Sequence, residues 1–279
     1  MKDAEGVQLL QWCLPNLRMR WPGFRKVRRQ VYKRIDRRLK ELDLSDMASY
    51  RSYIERHQDE WPVLDALCRI SISRCYRDKG VFQYLEREVL PQLAQRAAAK
   101  GENDVQCWSI GCASGEEPYT LAILWTLGVA PQFPAVSLRI LGTDSDPKAI
   151  ERAGRACYPG SSIKDLPADL LAKAFIPSSD GFCVSAEYRE LVTFREQDIR
   201  VTAPTDLFHL ILCRNLVFTY FDDGLQRETL NTIEGKLHPG GALVIGSLES
   251  LPDGVSEFDP WLQKLGVYRK PWESGSPKL

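Results

Sequence analysis

No stretch of this 279-residue chain approaches twenty consecutive apolar residues, so no membrane-spanning helix is expected. No leader pattern for export is expected either. The eight cysteines (Cys13, Cys68, Cys75, Cys107, Cys112, Cys157, Cys183 and Cys213) include no C-x-x-C pair. Their scatter predicts the reduced thiols of a cytoplasmic protein rather than a disulfide frame or a zinc site. Histidine is scarce. His57, His209 and His238 lie far apart without metal-ligand spacing, so structural roles are expected and no metal. What remains is ordinary for a globular protein, with 44% hydrophobic and 27% charged residues.

Net charge is zero but unevenly spread. Arg18 to Lys40 holds eleven Lys/Arg against one acid, Asp36, a local +10 that leaves −10 for the remainder. A basic segment on an acidic body suits an anionic partner, or else a solvated helix face. Only Tyr32 interleaves an aromatic on that helix, so nucleic acid is not the expected partner.

Residues 24–42 place Phe24, Val27, Val31, Ile35, Leu39 and Leu42 at steps of three and four, which predicts a helix with one apolar stripe. "LSDM" at 44–47 predicts a second helix capped by Ser45 or Asp46, and Pro62 suits the first turn of a third. Residues 1–90 therefore read as a helical domain, and residues 91–279 as a second domain of different texture. From Val105 onward, strand-like runs at 105–111, 137–144, 207–215 and 242–247 alternate with helices at 116–127, 147–158 and 221–237. That alternation predicts an α/β fold with a mostly parallel sheet. Residues 159–194 exceed a plain connection; Asp180-Gly181 between β-formers predicts a small inserted antiparallel β-subdomain.

Ligands of such sheets bind at the carboxyl ends of the strands, where GCASG, GTDSD and CRN fall. GCASGEEPYTLA (111–122) has a phosphate-loop look, a glycine turn opening a helix. Yet its spacing is G-x-x-x-G, Gly111 to Gly115, and Asp144 lies 33 residues beyond Gly111 rather than about twenty. Glu116 and Glu117 sit where a pyrophosphate would go, and each like-charge contact would cost on the order of a kcal/mol. Acids in a first helical turn also serve simply to complement the helix dipole. A ligand with an adenosine end and a sulfonium end escapes the repulsion, which points to S-adenosylmethionine. Asp144 ends the second strand, where a carboxylate can accept both ribose hydroxyls. Asp198 in FREQDIR is placed to accept from an adenine amino group. In LILCRNLVFTYF, Arg214 and Asn215 suit a pocket floor; Phe218 and Phe221 read as core, and Tyr220 as a ring that still offers its hydroxyl.

With those residues in view, the chain resembles the chemotaxis receptor (CheR-type) methyltransferases. WSIGCASGEEPYTLA is similar to the family's W-S-x-G-x-S-x-G-E-E-P-Y-S-L-A, and ILGTDSD to its A-T-D-I-D. ISISRCYRD resembles N-x-T-x-F-F-R-D, and RRQVYKRIDRRLKELDLSDMASYRSYI resembles its basic N-terminal helical domain. LILCRNLVFTYFDD, LHPGGALVIGSLESL and VYRK (267–270) resemble the closing motifs. The resemblance implies a class I methyltransferase (Rossmann-like) sheet and methyl transfer from S-adenosylmethionine to receptor glutamates, leaving S-adenosylhomocysteine. It implies that Ser71, Ser73, Arg77, Glu117, Asp144, Asp198, Ile199, Arg214 and Asn215 line the cofactor site, joined by Gly111, Gly115 and Glu116 from the residues themselves. Arg77 and Tyr220 are implied nearest the transferred methyl. Three departures stand out: Ser71 replaces the usual Asn, Cys75 replaces an aromatic, and CRNLVFTYF is one residue longer than the family's segment.

The implied partner is an acidic helical protein substrate docked on the basic helix 24–42. A small-molecule O-, N- or S-methyltransferase and a non-catalytic S-adenosylmethionine-binding module are the alternatives. The paired glutamates argue against a nucleotide-dependent oxidoreductase.

Overall fold

The computed structural model describes residues 3–179 and 181–272. The chain forms two compact units. One comprises Met1–Ile70 with Thr219–Gln226, and the other Ser71–Phe218 with Arg227–Leu279.

The first unit is helical. The helix Arg28–Glu41 buries Val31, Ile35 and Leu39 of the predicted stripe and also Tyr32, while Val27 and Leu42 flank its ends. Phe24 lies instead in a separate turn of helix, Trp21–Phe24, and three residues separate it from the helix that starts at Arg28. Asp46 caps the helix Met47–Arg56 by accepting from the Ser49 amide, and Ser49 returns a bond to the Asp46 amide. Pro62 lies in the first turn of the helix Glu60–Cys68. Leu10, Leu14, Phe24, Ile35, Tyr50, Ile54 and Leu64 form the core. Within it Glu60, 3% exposed, takes two bonds from Arg38 (2.9 and 2.7 Å) and one from the Tyr50 hydroxyl (2.7 Å). Burial works to raise the Glu60 carboxyl, but these donors hold it below the usual range.

Among its described residues the second unit carries ten strands: β1 (Asp104–Ile110), β2 (Ser137–Asp144), β3 (Cys157–Tyr158), β4 (Phe175–Ser178), β5 (Gly181–Val184), β6 (Val192–Glu196), β7 (Phe208–Cys213), β8 (Leu237–Ile245), β9 (Asp259–Leu262) and β10 (Val267–Arg269). Seven form one sheet in the order β6-β2-β1-β7-β8-β10-β9. The first five run parallel, and β10 is antiparallel to both β8 and β9. Every residue of β7 is buried, His209 included, as the largely apolar run FHLILC demands of a central parallel strand. Helices Glu116–Leu124 and Pro147–Arg155 follow β1 and β2 as the alternation predicts. HPGG (238–241), whose Pro-Gly-Gly reads as a turn ahead of the last central strand, lies instead inside β8, where the pairing with β7 shifts register and Gly240 takes φ +69°.

The inserted sheet is β3-β5-β4, antiparallel throughout. Ser178 pairs with Gly181 across the expected turn; Asp180 itself lies outside the described residues. Here the cysteine expectation needs correction. Cys157 on β3 faces Cys183 on β5, and their sulfurs are bonded at 2.05 Å. The small sheet, which starts at Cys157 where the sequence predicts a helix running on to 158, brings together two residues 26 apart whose spacing alone carries no sign of pairing. The other six cysteines are unpaired and buried. Among the described residues no helix is long and apolar enough to cross a membrane.

Candidate active site

The strand order reverses between β1 and β7. From β1 the chain moves out through β2 to β6, then returns to β7 and β8 on the other side. A crevice at such a switch point is where open α/β sheets bind ligands. The segments leaving β1, β2, β6, β7 and β8 carry Gly111–Gly115, Asp144, Asp198, Arg214–Asn215 and Gly246–Glu249.

The glycine turn is set by sterics. Gly111 has φ +68°, and a Cβ there would lie 2.6 Å from Leu216 Cδ2. Gly115 has φ +87°, and its Cβ would lie 2.8 Å from the Phe194 ring. Ala113 between them is also left-handed, at φ 50°. Asp144 fastens this loop: Oδ2 accepts from the Ala113 amide (2.9 Å) and Oδ1 from the Asp146 amide (2.9 Å). From the other side the Tyr158 hydroxyl donates to the Ser114 carbonyl (2.7 Å), and Arg152 to the Ser114 hydroxyl (3.0 Å).

The adjacent glutamates have different surroundings. Glu117 accepts from the Ser109 hydroxyl (2.8 Å) and from Arg214 Nη1 (2.8 Å). Glu116 is 5% exposed, and its Oε2 is buried without a hydrogen-bond partner. Burial pushes its carboxyl up, against the hydrogen bonds of its own amide and of Ser73. The Arg214 side chain, 3% exposed, also meets Asp78 (2.6 Å). One guanidinium thus serves two carboxylates and leaves a surplus negative charge.

Asn215 is left-handed at φ 56°. Its amide and that of Gly246 both donate to Glu249 Oε2, at 2.8 and 2.6 Å. Asp198 accepts from the amide and guanidinium of Arg200 (2.9 and 2.7 Å), and Ile199 is half-buried beside it. Ser71, Ser73 and Arg77 are half-buried, and Arg77 Nη1 donates to the Ile72 carbonyl (3.1 Å). Tyr220 ends the short helix Val217–Tyr220 and belongs to the helical unit, its ring edge-on to Phe24 at 5.1 Å. Four polar residues of this region escape sequence reasoning: Asp78, Ser114, Tyr158 and Glu249. Asp78 and Glu249 lie inside quoted motifs, RCYRD and SLESL; Tyr158 carries no local signal.

A turn without room for side chains, flanked by carboxylates in excess of their cations, fits a ligand with an adenosine end and a positive end better than a pyrophosphate. Residues 71–265 match the family model for the CheR methyltransferase S-adenosylmethionine-binding domain. The chain belongs to the CheR methyltransferase family. Its cofactor is S-adenosylmethionine, and the mostly parallel, Rossmann-like sheet expected of such a methyltransferase is the one the strands form. It is 30% identical over 253 residues to chemotaxis protein methyltransferase 2 of Vibrio cholerae, covering 87% of this chain and 86% of that protein. It is 30% identical over 244 residues to the chemotaxis protein methyltransferase of Salmonella typhimurium (83% and 79%). A 104.1 kDa protein of Rhodobacter capsulatus is 28% identical over 249 residues, 88% of this chain but 25% of that protein. This CheR-type chain thus spans most of the first two relatives and a quarter of the third.

Proposed function

We propose that this CheR-type enzyme transfers a methyl group from S-adenosylmethionine to glutamate carboxylates of a chemoreceptor-like protein. The observation that carries the reading is the surplus of carboxylate at the glycine turn, in a chain whose V. cholerae and S. typhimurium relatives are named chemotaxis methyltransferases. When bound, S-adenosylmethionine supplies a methyl group on a sulfonium, already activated for displacement. The chain's task is then placement and exclusion of water, because a glutamate acceptor is ionised at neutral pH and needs no general base.

In this reading Asp144 takes the ribose and Asp198 with Ile199 the adenine. Gly111 and Gly115 allow close backbone approach. Ser71, Ser73, Glu116, Glu117, Arg214 and Asn215 shape the wall, and Arg77 places a carboxylate beside the methyl. The family motif alone supports the role of Tyr220.

We further propose an acidic helical partner for the basic helix. Arg28, Arg34 and Arg38 are occupied internally, by Asp3, by the Leu67 and Arg69 carbonyls, and by Glu60. Arg25, Arg29, Lys33 and Arg37 are exposed and recur every four residues, so from Arg29 on they line one face of the helix. Six unpaired buried thiols against one bridge support a cytoplasmic setting.

The test is calorimetric titration with S-adenosylmethionine and S-adenosylhomocysteine beside an NADH control, then transfer of radiolabelled methyl to receptor helices. Binding of the first two only, and label released by alkali as methanol, is the expected result. Alkali-stable label would replace the carboxylate acceptor with another class.

A further inference from the structure

We propose that Asp78 and Arg214 are positioning residues that act on the cofactor through Arg77, rather than ligands themselves. The inference rests on the S-adenosylmethionine site described above and assigns the device that holds one of its walls.

Arg77 sits between two left-handed residues, Tyr76 at φ 59° and Asp78 at φ 61°. Neither is glycine, and an L side chain disfavours each such conformation. A doubly reversed backbone of this kind persists only where its surroundings fix it. The Tyr76 amide donates to the Thr120 hydroxyl (3.0 Å), and the Cys75 amide to the Ser162 carbonyl (2.9 Å). Beyond that point the Val81 amide donates to the Asp78 carbonyl (2.8 Å), and the side chain that fixes the segment is Arg214. Its Nη2 donates to the Arg77 carbonyl (3.1 Å) and to the Asp78 carboxylate (2.6 Å). Its Nη1 donates to Glu117, which is itself held by Ser109 of β1 (2.8 Å). The guanidinium lies over the Phe82 ring, 5.1 Å from its centre. A chain of charge-assisted bonds thus runs from the central strand to the backbone of Arg77.

With 3% of its side chain exposed, Arg214 offers a cofactor almost no surface. Arg77 is different: its side chain is half-buried and bonded to the Ile72 carbonyl. The clamp therefore sets where the Arg77 guanidinium starts from, and Arg77 makes the contact.

A double-mutant cycle tests this by calorimetric titration of the full chain with S-adenosylhomocysteine. Asp78 is partly exposed, so Asp78→Asn keeps the fold. It is expected to weaken binding about tenfold in the wild-type background. In an Arg77→Ala background the same change is expected to cost less than about twofold, because the residue it acts through is gone. Arg214→Lys keeps the charge, loses the fork, and is expected to follow Asp78→Asn. Amide exchange over residues 75–79 should rise in both variants without cofactor. Losses that multiply, or an Asp78→Asn protein that binds as wild type, overturn the positioning role alone. A folded wild-type protein that fails to bind S-adenosylhomocysteine overturns the site and this role together.

Discussion

The Tyr158 hydroxyl donates to the Ser114 carbonyl at 2.7 Å, so the inserted sheet holds the glycine turn directly. Tyr158→Phe keeps the buried ring and removes that one bond. We expect a loss of about 1 kcal/mol in stability and a several-fold weaker affinity for S-adenosylhomocysteine. Thermal unfolding and calorimetry measure the two; unchanged affinity would mean that the turn stands by itself.

Arg77→Ala should leave the fold intact, since among the described residues its side chain bonds only the Ile72 carbonyl. Methyl transfer should fall by roughly a hundredfold or more, the scale of a lost placement contact. Circular dichroism controls for folding, and turnover near the wild-type value refutes the assignment.

Reversal of Arg29, Lys33 and Arg37 to Glu removes the exposed cations of one helix face and spares the internally bonded Arg34 and Arg38. Binding to an acidic receptor helix should weaken tenfold or more, about 1.4 kcal/mol, with a flatter salt dependence. Calorimetry with S-adenosylhomocysteine should be unaffected. An unchanged receptor affinity would assign the docking elsewhere.

Acid should destabilise the sheet unit through two histidines. His209 Nδ1 accepts from the Gln106 amide (3.0 Å), and Nε2 meets Glu102 (2.8 Å), which fixes the neutral ring. Burial lowers its pKa below the ordinary 6.5. His238 lies 4.5 Å away, pushed down to about 4, first by burial and then by His209. Between about pH 6.5 and 4 the unfolded chain binds more protons than the folded one, so stability rises with pH. The contribution is complete above about pH 6.5 and lost as pH falls toward 4. We expect Tm to drop roughly 3–6 °C between pH 7 and 5. The slope should flatten in His238→Gln.

In the helical unit, Glu60→Ala leaves Arg38 and the Tyr50 hydroxyl without their shared acceptor. Breaking so buried a pair should cost roughly 3 kcal/mol. Urea unfolding followed by helical circular dichroism reports it, and a loss under about 1 kcal/mol would show that solvent replaces the carboxylate.

Much of this was legible in the sequence because it is periodic or local. The stripe of Val31, Ile35 and Leu39, the Asp46 cap and the strand-helix alternation each depend on neighbours a few residues apart. The glycine turn was legible too, since two glutamates after Gly115 are a local charge pattern. The burial of Glu116 and the pairing of Glu117 were not, because their partners lie far along the chain. Arg214 is 97 residues from Glu117 and 136 from Asp78, and Tyr158 reaches Ser114 across 44. The Cys157–Cys183 bridge belongs to the same class. A contact closed by topology leaves no period, and RCYRD reads as any helix–loop junction until the sheet places β7 beside β1.

That separation sets a timetable for synthesis. Asp78 leaves the ribosome 136 residues ahead of Arg214, roughly 7–27 seconds at ordinary elongation rates. Until β7 emerges the reversed backbone at Arg77 lacks its clamp, and the central strand lacks the neighbour on one side. A nascent chain stalled before residue 214 would hold most of the residues of the cofactor site and still lack the device that arranges them. On the proposed clamp, competence to bind arrives late, with Arg214 and with the Asn215 and Glu249 that follow it.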